Sequence, residues 1–97
     1  MREIRLMNEY SVDFPIWDED GLVDAAGFPV GPQLGAELRE WAAIFDAHFD
    51  PFEGWDDPAV ASLHHARGPA LRDRLQTELG PGCHVVLDQW EHRAAAS

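Results

Sequence analysis

Two prolines, each directly behind a residue suited to capping a helix, start the two long amphipathic segments of this chain. Gly31 precedes Pro32 and Asp57 precedes Pro58. Proline fits the first helical position because the N–H that it lacks has no partner there. Apolar residues then recur at spacings of three and four, the period of a helix with one buried face. This pattern predicts helices over residues 32–49 and 58–79.

The second predicted helix is interrupted by Gly68-Pro69. A proline inside a helix removes the hydrogen bond to the carbonyl four residues back and costs ~3 kcal/mol. We therefore expect either a kink at this point or two shorter helices.

Strand patterns flank the two helices. Ile4, Leu6 and Asn8 alternate with other residues in a first strand near 2–8, and β-branched residues favour a last strand over 83–90. A small hairpin is expected within 13–23. The order is β-(hairpin)-α-α-β, an α+β fold in which two helices cover one face of a small antiparallel sheet. We expect one domain over 1–97, ordered from about 2 to 90, with a frayed tail at 91–97.

The charge of the chain limits its partners. Eighteen acidic residues face seven arginines and no lysine, for a net charge of −11. Such a chain is not expected to bind nucleic acid or an anionic membrane, and it favours a basic protein partner. All of the excess lies in residues 1–57, which hold fourteen acids and three arginines. The N-terminus lacks the apolar region of a signal peptide and no stretch is long enough to span a membrane, so a cytoplasmic location is expected.

Two tryptophans lie in acidic loops. Trp17 precedes three consecutive acids, and Trp55 has acids on both sides. Tryptophan can anchor a protein interface while carboxylates steer a basic partner, but a loop tryptophan can equally cap a thin core. The candidate partner-binding residues are Trp17, Asp18, Glu19, Asp20, Glu53, Trp55, Asp56 and Asp57.

Catalytic patterns are lacking. The sequence has no H-E-x-x-H motif, cysteine pair or glycine-rich phosphate loop, and Cys83 and His84, as strand neighbours, point to opposite faces. We predict no catalytic residue and no cofactor. The alternative is a metal-binding protein or metal-dependent enzyme that uses His48, Asp50 and either His64 or His65.

Several short motifs resemble those of a group of small acidic bacterial proteins, chiefly actinobacterial. They are Arg5-Leu6-Met7-Asn8-Glu9-Tyr10, Pro15-Ile16-Trp17, Leu38-Arg39-Glu40-Trp41 and Gly54-Trp55-Asp56-Asp57-Pro58. The group pattern is R-L-M-x-D/E-Y, P-x-W and W-D-D-P, and the match spans roughly residues 4–88. The resemblance implies a one-domain α+β fold and points to no site.

The favoured function is a non-enzymatic binding module that docks on a basic partner. The concrete form of this hypothesis is an inhibitor or immunity-type protein that covers a basic toxin or nuclease. An exposed strand edge would also permit a homodimer.

Overall fold

The computed structural model of the protein describes residues 2–93. In chain order, the strands and helices are β1 (Arg2–Met7), β2 (Ile16–Asp18), β3 (Gly21–Leu22), a 3₁₀ turn (Ala25–Gly27), α1 (Pro32–His48), β4 (Phe49–Asp50), β5 (Gly54–Trp55), α2 (Pro58–Leu79), β6 (Cys83–Asp88) and α3 (Trp90–Arg93). The main sheet has the order β3-β2-β1-β6, and β4 and β5 form a separate hairpin. The expected α+β class is confirmed.

The sheet is mixed rather than antiparallel throughout. β2 pairs antiparallel with both β1 and β3, but β6 runs parallel to β1, with Ile4 opposite Val85. The expected antiparallel pairing is therefore wrong for β1 and β6. The physical reason is the connection, because α1 and α2 lie between the two strands and return the chain to the end of the sheet where β1 starts.

The core lies between the helices and one face of the sheet. Ile4 and Leu6 are fully buried, whereas Arg5 between them is exposed, as expected for a strand with one covered face. The core residues that join them are Phe14, Ile16, Phe28, Leu34, Leu38, Trp41, Leu71, Leu75 and Val85. Both helices and three strands thus share one apolar cluster.

The outer edge of β6 is occupied by side chains of α2. Gln76 Nε2 donates to Cys83 O at 2.8 Å, and Gln76 Oε1 accepts from Val85 N at 2.9 Å. Arg72 Nε donates to Val85 O at 3.1 Å. These bonds use backbone groups that a second chain would need for pairing along this part of the strand.

Helix α2 is continuous through Gly68-Pro69, and the expected division into two helices does not occur. Pro69 leaves the carbonyl of His65 without its usual donor, and Gln89 Nε2 supplies one at 3.1 Å. Gly68 makes this approach possible, since a Cβ atom there would lie 2.8 Å from Gln89 Cδ. A side chain from beyond β6 thus replaces the helical hydrogen bond.

Residues 91–93 belong to α3 rather than to a frayed tail. Glu91 is 0% exposed, and Trp90 Nε1 donates to Asn8 O at 2.8 Å. These contacts hold the short helix against the end of β1. The expectation of a tail at 94–97 lies outside the described residues. Within residues 2–93, no helix is long and apolar enough to cross a membrane.

Candidate functional site

The two acidic loops singled out in the sequence lie at opposite ends of the main sheet. Asp18 contacts Arg2, the first residue of β1. Trp55 Nε1 donates to Glu91 O at 3.3 Å, and Glu91 follows β6 in the chain. The last residue of β6, Asp88, pairs with Met7, which is at the opposite end of β1 from Arg2. The structure therefore does not bring the eight candidate residues together into one surface.

The carboxylates of the β2–β3 hairpin are largely used within the protein. Asp18 accepts a hydrogen bond from Arg2 at 2.7 Å, and this bond lowers the pKa of the Asp18 carboxyl. Glu19 Oε1 accepts from the Glu3 amide at 3.2 Å. Trp17 is half-buried and donates to Met7 O at 2.9 Å. Glu19 and Asp20 are both exposed to solvent.

The tryptophan of the second loop packs inward. The Trp55 ring lies 5.4 Å from that of Phe49 and stacks on His92 at 5.0 Å, between ring centroids. Asp57 caps α2, since its side chain accepts from Ala59 N at 2.9 Å. Asp56 pairs with His48 at 2.9 Å. Trp55 thus closes one end of the core, and Asp57 starts a helix.

Exposed apolar and acidic side chains nevertheless lie around the hairpin formed by β4 and β5. Phe52, between β4 and β5, is 93% exposed. The Asp50 carboxylate holds its loop by accepting from the backbone N–H groups of Phe52 and Glu53, at 2.7 and 2.9 Å. Phe52 is therefore presented on an ordered turn and not on a loose loop.

More carboxylates lie beside the β4–β5 hairpin, one near the end of α1 and one in the loop after β1. Asp46 near the end of α1 accepts from Ser11 N at 3.3 Å. The Tyr10 ring stacks on that of Phe49 at 6.3 Å between centroids, and burial together with the Glu9 and Asp50 carboxylates raises the pKa of Tyr10. We call this region the acidic end; it comprises Glu9, Tyr10, Asp46, Asp50, Phe52, Glu53, Asp56 and Asp57.

Beneath Trp55 lies a buried polar cluster formed by Asn8, His64, Glu91 and His92. The amide of Asn8 donates to Glu91 Oε2 at 3.2 Å and lies 3.1 Å from His64 Nε2. His64 Nδ1 lies 2.9 Å from His92 Nε2. With Asn8 as donor to His64 Nε2, the proton of His64 is on Nδ1 and is donated to His92.

Burial sets the protonation of this cluster. It lowers the pKa of His64 to about 3 and that of His92 to about 4, so both rings are neutral near pH 7. Burial also raises the pKa of Glu91. Two buried atoms of the cluster, Asn8 Oδ1 and Glu91 Oε1, have no hydrogen-bond partner among the described residues.

The metal-ligand set suggested by the sequence is not assembled. His48 pairs with Asp56, and Asp50 holds the turn at Phe52. In residues 2–93, the side chains close enough to hold one ion are His64, Glu91 and His92. Within these residues, His64 is therefore the one predicted metal ligand that lies in this group of three side chains.

Sequence reasoning missed Asn8 and the two residues of α3. One signal was present, because Asn8 takes the next inward position after Ile4 and Leu6 in the alternation of β1. A polar residue there predicts a buried hydrogen-bond partner. Nothing in the local pattern of Glu91 and His92 distinguished them from an exposed tail.

Comparison with known proteins identifies the family. No match is found among curated proteins. The family model described as Serratia CdiI immunity protein-like matches residues 2–89, which include all of the main sheet and both long helices. The chain belongs to the Serratia CdiI immunity protein-like family.

Proposed function

We propose that this protein is an immunity protein that neutralises a basic toxin by binding it at the acidic end, without catalysis. Membership of an immunity protein-like family supports the general role. The net charge of −11 supports a basic partner. The observation that carries the choice of surface is Phe52, an almost fully exposed aromatic ring held among carboxylates.

Among residues 2–93, no arginine forms an ion pair with a carboxylate of the acidic end. Residues 41–66 contain five acids and no arginine. Six arginines form ion pairs elsewhere with Asp18, Glu37, Glu40, Asp73 and Asp88, and the guanidinium of Arg39 lies 5.6 Å above the Phe14 ring. The unbalanced negative field therefore attracts lysine or arginine side chains of a partner.

The hairpin is also well suited to act as an anchor. Binding energy in protein interfaces is concentrated in a few residues, and aromatic rings are common among them. Because Asp50 and the β4–β5 pairing already order the loop, Phe52 loses little conformational freedom on binding. Trp55 supports the hairpin from the core side, and Glu53 and Asp56 provide the charged rim.

The test begins with the genes that flank the gene of this protein in its native genome, where the proposal expects one that encodes a basic toxin domain; that domain is the probe. Its affinity is measured by calorimetry at low and high salt, for the wild type and for two matched neutralised variants. One is E53Q/D56N/D57N at the acidic end, in which asparagine retains the helix cap; the other is D18N/E19Q/D20N at the opposite end of the sheet.

We expect tight, salt-sensitive binding that is weakened much more by the first triple substitution than by the second. Absence of binding to that toxin domain would contradict the proposed function. An equal loss in both variants, or a greater loss in the second, would contradict the choice of surface.

A further inference from the structure

The buried polar cluster has features that a hydrogen-bonded core does not explain. Glu91 is 0% exposed and has no arginine or lysine partner among the described residues, and its Oε1 atom lacks any hydrogen bond. A buried carboxyl group without a counter-charge is costly unless it is neutral or bound to a cation. Two histidine nitrogens lie beside it.

We propose that His64, Glu91 and His92 form a binding site for one divalent transition-metal ion of the zinc type. The ligand atoms are His64 Nδ1, His92 Nε2 and a carboxylate oxygen of Glu91. This site lies inside the protein beneath Trp55 and does not depend on the proposed toxin binding.

The ligand atoms are already close to the required arrangement. His64 Nδ1 is 2.9 Å from His92 Nε2 and 4.0 Å from Glu91 Oε2, and all three ligand atoms lie within 4.8 Å of one another. Zinc bonds of about 2.0–2.2 Å in a tetrahedron place ligands about 3.4 Å apart. Shifts of about 1 Å per side chain therefore suffice.

The ligands are in a suitable chemical state and are held in place. His92 Nε2 accepts the hydrogen bond from His64 Nδ1–H and therefore already has a lone pair that it can offer to a metal. The Trp41 ring stacks on His64 at a centroid distance of 4.6 Å, and Trp55 stacks on His92 at 5.0 Å. These contacts reduce the ordering that metal binding would require.

Asn8 supplies the outer partner that such a site needs. When His64 binds a metal through Nδ1, its proton moves to Nε2 and requires an acceptor. The Asn8 side chain lies 3.1 Å from this atom, and its Oδ1 has no partner. Rotation of the amide by 180° turns this oxygen toward His64 Nε2–H and ends the hydrogen bond from Asn8 to Glu91 Oε2, which frees that oxygen to bind the ion.

The fourth position of the ion has a route to solvent. A surface recess lined by Ala61, Ser62, His65 and His92 lies beside the site. The His65 ring is 4.7 Å from that of His92, between centroids. Because the recess borders His92, water can complete the coordination. Two nitrogen ligands and one oxygen ligand favour zinc or cobalt over calcium or magnesium, which prefer oxygen alone.

Cobalt(II) is the probe, because its visible absorption reports tetrahedral coordination by protein ligands. Tag-free full-length protein is treated with a chelator, desalted and titrated with cobalt, and zinc content is measured separately after dialysis. The test variant is H92Q, at a partly exposed position, and the matched control is H84Q, which changes an exposed histidine of β6. Circular dichroism verifies that each variant is folded.

We expect one cobalt ion per wild-type chain with intense visible bands, one zinc ion after dialysis, and a higher thermal midpoint with metal. H84Q should behave like the wild type, and H92Q should lose at least tenfold in affinity. The proposal is overturned if the wild type takes up neither ion stoichiometrically, if H92Q retains full affinity, or if H84Q loses as much as H92Q.

Discussion

The side-chain amide of Gln89 donates to the carbonyl oxygen of His65, the acceptor that Pro69 leaves free within α2. This contact joins the segment after β6 to the middle of the longest helix. It also makes Gly68 and Gln89 interdependent, because the amide occupies the space of a Cβ atom at residue 68.

Replacement of Gly68 by alanine is therefore expected to have an effect that depends on Gln89. In a helix, Gly→Ala stabilises by about 1 kcal/mol, but here the new methyl group displaces the Gln89 amide and removes a hydrogen bond of about 1 kcal/mol. G68A alone should leave the free energy of unfolding nearly unchanged, whereas in the Q89A background it should raise it by about 1 kcal/mol. Urea unfolding measures all four proteins.

The control is Gly35 in α1, where a Cβ atom meets nothing within 4 Å. G35A should stabilise the protein by about 1 kcal/mol in both backgrounds. Additive effects of G68A and Q89A would show that the two positions are not coupled.

Acidification should destabilise the metal-free protein. In the folded state, burial lowers the pKa of His64 from its ordinary value of 6.5 to about 3. Burial likewise lowers the pKa of His92 to about 4. Below pH 6.5, these histidines are therefore protonated in the unfolded chain but still neutral in the folded chain. The free energy of unfolding consequently decreases as the pH falls below 6.5. His64 alone contributes a loss on the order of 2 kcal/mol between pH 7 and pH 5.

Glu91 acts in the opposite direction. Its raised pKa means that the folded state favours the protonated carboxyl, so acidification removes part of its burial cost. Unfolding curves in the presence of a chelator should show a smaller loss for H92Q than for the wild type, while H84Q should match the wild type. A stability that is flat from pH 7 to pH 5 would contradict this prediction.

Asp57 should matter for folding independently of any partner. Its carboxylate accepts from the N–H groups of Ala59 and Val60 at the start of α2. D57A is expected to cost about 1 kcal/mol in thermal unfolding, and D57S, which keeps a capping oxygen, should cost much less. Equal losses would indicate that the charge of Asp57, and not its cap, supports the helix.

Phe52 should matter for binding and not for folding. F52A removes a side chain that is 93% exposed, so the midpoint of thermal unfolding should change little. The free energy of binding to the toxin domain should become less favourable by about 2 kcal/mol or more, chiefly because the complex dissociates faster. E53Q should instead slow association and weaken its dependence on salt. Surface plasmon resonance at several salt concentrations separates the two rates, and an F52A protein with unchanged dissociation would exclude Phe52 as an anchor.

The elements that could be predicted from the sequence are those specified by neighbouring residues, such as helix caps, prolines and apolar periodicity. Pro32 and Pro58 begin the two helices at the expected residues, and the alternation of Ile4 and Leu6 places β1 correctly. The direction of β6 relative to β1 and the burial of α3 depend instead on contacts between distant residues. Sequence periodicity carries no information about such pairings.

The same limit applies to the candidate sites. Asn8 meets His64 and Glu91 across 56 and 83 residues, so no spacing rule could have joined them. The acidic loops were visible from composition, but their separation to opposite ends of the sheet follows from the register of β1 with β2 and β6. Acidic and aromatic residues that look equivalent in the sequence thus have different roles in the structure.

The parallel pairing of β1 with β6 also has a consequence for synthesis. Strand β1 is an inner strand of the main sheet, and one of its two neighbours, β6, is synthesised only after both long helices. Until that strand emerges, the nascent chain exposes one backbone edge of β1 and part of its apolar face, a state prone to association with other chains. The main sheet can therefore be completed only after β6 has been synthesised, through contacts of high sequence separation.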